Sequence, residues 1–130
     1  MKKLALILFL PLLCFYGCVY LVAAGAGAAA GVVTYKYISG ELQVQYPYPL
    51  ERVWHATEEA IKGMGISVTE RARDTFSGSL KGKTSTGTSV SIKAKQLEEK
   101  VTLVKIRVGI FGDEAASMRI KDAIDRRLGI

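Results

Sequence analysis

One histidine and two cysteines among 130 residues leave little material for metal or thiol chemistry. His55 alone cannot build a histidine-based metal site, and no cysteine is near it in sequence to help. Cys14 and Cys18 are separated by three residues, Phe15-Tyr16-Gly17, rather than the two of a redox motif. Acidic clusters are equally sparse. Glu58-Glu59 and Glu98-Glu99 are adjacent pairs, so on a helix or strand their side chains diverge, whereas paired catalytic carboxylates must converge in a cleft. Ser85, Ser89 and Ser91 stand in turn or strand sequence with no nucleophile elbow. Gly109 and Gly112 are too sparse for a phosphate-cradling loop. These absences point away from an enzyme, and no cofactor, metal or small-molecule substrate is expected.

Charge is also scarce over a long stretch. No charged residue occurs from Leu4 to Tyr35, which is preceded only by Lys2 and Lys3. Two positive residues followed by the apolar run Leu4–Tyr16 form a secretory signal peptide, too short in its apolar part to span a bilayer alone. Gly17 supplies the small residue that lipoprotein signal peptidase requires before a cysteine, and Cys18 is then the lipidated first residue of the mature chain. Phe15 and Tyr16 depart from the usual leucine and small residue, respectively, of that motif. On this reading residues 1–17 are the signal peptide and 18–39 a lipidated cysteine with an Ala/Gly-rich tether. The alternative takes residues 4–33 as a transmembrane helix, with Gly27 and Gly31 as a GxxxG pair for oligomerisation. Removal of Lys2 and Lys3 with the leader lowers the net charge from +6 to +4, a mild excess that suits anionic surfaces and does not argue nucleic acid.

Residues 40–130 read as one α+β domain. Leu42, Val44 and Tyr46 alternate with Glu41, Gln43 and Gln45, the pattern of a half-buried strand ended by Pro47 and Pro49. Leu50, Val53, Trp54, Ala60, Ile61 and Met64 recur at helical spacing, with Glu51 at the positive start and Gly63 and Gly65 at the end. Thr57 interrupts that stripe mildly, since its hydroxyl can bond a carbonyl of the preceding turn. Strands are expected over Ile66–Ala72, Phe76–Lys83, Thr88–Lys95 and Val101–Ile110, joined as hairpins near Gly87 and Glu99. Phe76, Leu80, Val90, Ile92, Val104 and Ile106 form the expected inner face, with Val108 and Ile110 continuing it. Asp113 should cap a last helix with the stripe Ala116, Ile120, Ala123, Ile124 and Leu128. The order is β-α-β-β-β-β-α, an antiparallel curved sheet covered on one face by two helices.

Several strings resemble the domain of unknown function 3568 family of short bacterial lipoproteins. They are Gly17-Cys18 with the Ala/Gly stretch, Gly40-Glu41-Leu42, Val53-Trp54-x-Ala56, and Ile106-Arg107-Val108-Gly109-Ile110-Phe111-Gly112-Asp113-Glu114. The resemblance covers nearly the whole chain. It implies a lipoprotein with no assigned activity and no site to carry over; the expected location is the cell envelope, facing the periplasm, at the outer more than the inner membrane. The first helix followed by Gly65-Ile66 and a strand is also similar to small-lipoprotein subunits of the outer-membrane β-barrel assembly machinery.

One surface feature remains. With turns centred on Gly87 and Glu99, Lys81, Lys93 and Lys105 would stand opposite one another on three strands, flanked by Lys83, Lys95 and Arg107 on the same face. Lysine is common on the wet face of a sheet and blunts aggregation. The functional reading is a shallow basic surface for an anionic partner: lipid, wall polymer or an acidic envelope protein.

Overall fold

The computed structural model of the protein describes residues 33–130. Cys14, Cys18, Gly27, Gly31 and the proposed leader therefore lie outside the described residues, as does nearly all of the 4–33 helix of the alternative reading. Among the described residues no helix is long and apolar enough to cross a membrane.

The elements are β1 (Thr34–Ile38), β2 (Glu41–Tyr46), α1 (Leu50–Gly63), β3 (Ser67–Arg73), β4 (Ser77–Lys83), β5 (Ser89–Glu98), β6 (Val101–Val108) and α2 (Glu114–Leu128). The strands form one sheet in the order β1-β2-β6-β5-β4-β3, every neighbouring pair antiparallel. Both helices cover the same face, α2 over β2 and β6 and α1 over β5 and β6, and they pack on each other. The expected α+β architecture is what forms, with one strand more at its edge.

Alternation explains the core. Leu42, Val44, Leu80, Val90, Ile92, Val104 and Ile106 point to the helices and are buried, while the intervening residues face outward. From α1, Leu50, Val53, Trp54, Ala60 and Ile61 close over them, and Thr57 donates its hydroxyl to the Val53 carbonyl at 2.8 Å, as its place in the stripe requires. From α2 come Ile120, Ala123, Ile124 and Leu128. The Asp113 carboxylate caps α2 by accepting the Ala116 amide at 3.0 Å. Helix α1 ends with Gly65 left-handed and the Ile66 amide donating to the Ile61 carbonyl, the bonding of a Schellman cap, so Met64 turns outward instead of continuing the stripe.

Four local expectations are corrected. The sheet starts before Gly40: Tyr35 and Tyr37 alternate with Thr34, Lys36 and Ile38 and pair with β2 through a two-residue turn, Ser39-Gly40, both at positive φ. The β4–β5 turn centres on Thr86, because Gly87 provides the left-handed residue that closes a three-residue loop, one position past its middle. Partners across β4 and β5 therefore shift by two, and Lys81 faces Ser91 while Ser79 faces Lys93. Phe76 belongs to the turn before β4 and is 65% exposed, its expected place inside taken by Trp54 over Gly78. Ile110 has left the sheet as well: β6 stops at Val108, Gly109 turns the chain at positive φ, and Ile110 is 81% exposed.

Candidate anion-docking face

The sheet face away from the helices has no covering element among the described residues, and side chains of both long and short reach stand on it. Lys93 on β5 is directly opposite Lys105 on β6, and Lys95 stands between Ser77 on β4 and Leu103 on β6. Alternation alone puts them outward, because Ile92, Ala94, Val104 and Ile106 take the inner face. Like charges placed across a strand pair repel by a few tenths of a kcal/mol. None of Lys93, Lys95 and Lys105 has an ion-pair partner among the described residues.

Beside the lysines the outer side chains shrink to Ala72, Ser77 and Ser79 on β3 and β4. The step from short to long side chains leaves a depression of about 600 Å³, floored in part by Leu103 and bordered by Lys93, Lys95 and Lys105. One carboxylate reaches its edge, Asp74, and that carboxylate accepts the Thr75 amide at 2.8 Å. The hydroxyls of Ser77 and Ser79 and three ammonium groups make the site a donor-rich hollow. Charge and hydrogen-bond donors in this arrangement are suited to an anion.

The six basic residues expected on this face all lie on it, in different situations. Lys93, Lys95 and Lys105 gather at the depression. Lys81 lies further along β4 and is 3.6 Å from Glu70, an exposed pair of small energetic weight. Lys83 faces Ser89 and Ser67 at the far end of the strand. Arg107 is engaged in structure: its guanidinium donates to the Ser39 carbonyl at 3.0 Å and to the Ile110 carbonyl at 3.4 Å. The single row of three lysines is not formed, since the β4–β5 register separates Lys81 from Lys93. Lys36 on β1 also shares the face, opposite Gln43, and could have been found from the alternation of the Tyr35-Lys36-Tyr37 string.

Away from the open face, the titratable groups make structural pairs. The His55 ring is 3.1 Å from Glu59, with both side chains well exposed. Glu58 turns instead to Arg71 at 3.2 Å, so the two neighbouring carboxylates diverge. Glu51 pairs with Arg73, whose guanidinium also lies over the Trp54 ring. No group of three or more histidine, cysteine or acidic side chains among the described residues could hold a metal ion.

One buried polar cluster has no counterpart in the sequence reading. Tyr46 on β2 donates its hydroxyl to Asp125 on α2 at 2.8 Å, and Lys121, one turn earlier, reaches the other carboxylate oxygen at 2.7 Å. The Lys121 ammonium also sits 4.9 Å from the centre of the Tyr35 ring. Burial, reinforced by the negative Asp125, pushes the Tyr46 phenol far above its ordinary range. The cluster fastens β1, β2 and α2 together. Its only sequence signal is the i, i+4 spacing of Lys121 and Asp125, which is common on exposed helices.

Residues 2–127 match the model of a family described as protein of unknown function (DUF3568). No curated protein matches the chain.

Proposed function

From the premise that this chain belongs to the DUF3568 family of proteins of unknown function, we propose that it is a bacterial envelope lipoprotein, anchored through acylated Cys18, whose domain binds an anionic envelope surface without catalysis. The anchor is supported by Lys2-Lys3, the uncharged run that follows and Gly17-Cys18. The binding role rests on one observation above the others: Lys93 and Lys105 stand opposite each other on an open sheet face, with Lys95 beside them and no carboxylate pairing any of the three among the described residues. A folded domain that leaves this repulsion unrelieved gains stability when a polyanion supplies the missing charge. Lysine suits the purpose, since its ammonium acts as a mobile point charge that adapts to phosphate or carboxylate groups of variable position.

The test uses full-length protein held in neutral detergent micelles and sedimented with purified wall sacculi or with anionic vesicles. Binding that requires Lys93, Lys95 and Lys105 supports the reading. Binding that survives their combined replacement by Gln removes the face from it.

A further inference from the structure

The place where the chain enters the sheet and the place of the depression are linked by one cross-strand row. Thr34, the first residue of β1, faces Gln45, Gln45 faces Leu103, Leu103 faces Lys95, and Lys95 faces Ser77. At roughly 4.8 Å per strand, Leu103 on the floor of the depression is about 10 Å from Thr34. The 32 residues that precede Val33 include the uncharged stretch beginning at Leu4. On the proposed anchoring, this is the end at which the sheet is joined to the membrane.

The same end carries apolar side chains with nothing over them. Phe76 is 65% exposed and Leu97, at a bulge of β5, is 44% exposed. Their backbones lie at the same level of the sheet, since the Phe76 carbonyl accepts the amide of Gln96, the residue before Leu97, at 2.9 Å. Phe76 directly precedes Ser77 and Leu97 follows Lys95 by two residues, and Ser77 and Lys95 line the depression. Glu98 ends β5 opposite Val101, and Glu99 follows it in the β5–β6 turn, both outside the lining. Bulky apolar residues beside lysines are the composition that settles at the boundary between headgroups and acyl chains.

We propose that the depression bordered by Lys93, Lys95 and Lys105 seats the phosphate of anionic phospholipid headgroups, with Phe76 and Leu97 entering the bilayer interface beside it. This rests on the reading of the open face as an anion-docking surface and adds its occupant and its orientation. A phosphate between Lys93 and Lys105 relieves their repulsion, and the hydroxyls of Ser77 and Ser79 offer it further donors. The domain then lies with its tether end against the bilayer, and the opposite end, with Phe111 92% exposed, points away.

Tryptophan fluorescence in full-length protein reconstituted into vesicles with brominated acyl chains tests this. Trp54 is 7% exposed and gives a constant background. In vesicles containing phosphatidylglycerol, Phe76→Trp should gain emission that the bromine atoms quench, and in phosphatidylcholine alone it should not. Phe111→Trp should gain emission that is not quenched in either. Within the Phe76→Trp protein, Lys93→Gln with Lys105→Gln should abolish most of the quenching. Lys81→Gln with Lys83→Gln removes the same charge from the same face outside the depression and should leave it. Equal losses from the two pairs would overturn the depression as the site. Quenching at residue 111 instead of 76, or at neither, would overturn the orientation. If residue 76 is never quenched while sacculi still bind through the three lysines, the docking face stands and the phospholipid occupant falls.

Discussion

The indole of Trp54 lies on the backbone of Gly78, so closely that a methyl group at residue 78 would come within 2.6 Å of ring atom Cζ3. Trp54 of α1 can lie against β4 here because residue 78 has no side chain, and the ring fills the space that a larger residue at that position would occupy. Trp54→Ala should cost roughly 3–5 kcal/mol and Gly78→Ala about 1–3 kcal/mol. The two should be strongly non-additive: once the ring is gone, the methyl at 78 finds room and its penalty should disappear. Denaturant melts of the four proteins in the cycle measure this. Additive losses would mean that ring and glycine do not bear on each other.

The Tyr46–Asp125–Lys121 cluster gives an alkaline signature. The folded state holds the phenol neutral beyond its ordinary value near 10.0, whereas the unfolded chain ionises there. Stability from this group is therefore fully present below pH 10 and declines as pH rises above it. Tyr46→Phe should flatten that part of the decline, visible in melting temperatures recorded from neutral to strongly alkaline pH. Asp125→Ala should cost about 3 kcal/mol, because it leaves the largely buried Lys121 ammonium without its carboxylate.

Processing at Cys18 is expected to leave an acylated cysteine as the first residue of the membrane-extracted protein. Intact mass spectrometry reads this directly. A mature protein that retains Met1 would contradict the anchor, and Cys18→Ala should block both cleavage and acylation.

Where buried residues follow a simple period, the fold was legible: Leu42-Val44-Tyr46, Val104-Ile106-Val108 and the stripe of α1 as far as Ile61 read directly into the core. Other details were not legible, and three of them show the local cause most plainly. Strand β1 is five residues long and follows an Ala/Gly run that masks its alternation, while Ser39 supplies a positive φ that serine seldom adopts. Phe76 reads as core by hydrophobicity, yet the contact of Trp54 with Gly78 leaves it no place inside, and no period in either segment announces that contact. The open basic face could be read residue by residue, because alternation sends every second residue outward. Its geometry could not, since the neighbours of Lys81 and Lys93 depend on which residue of the Ser85-Thr86-Gly87 loop stands at the centre.

Association of the full-length protein with an anionic surface, measured across a series of salt concentrations, bears most directly on the docking face. The parent protein should bind with affinity that falls steadily as salt rises, since exposed charges are screened over about 8 Å at physiological ionic strength. The Lys93→Gln, Lys95→Gln and Lys105→Gln protein should keep its melting temperature or gain slightly from relieved repulsion, and should lose most of the binding together with the salt dependence. Equal, salt-insensitive binding by the two proteins would contradict a docking role for this face and leave its lysines as ordinary solvated surface.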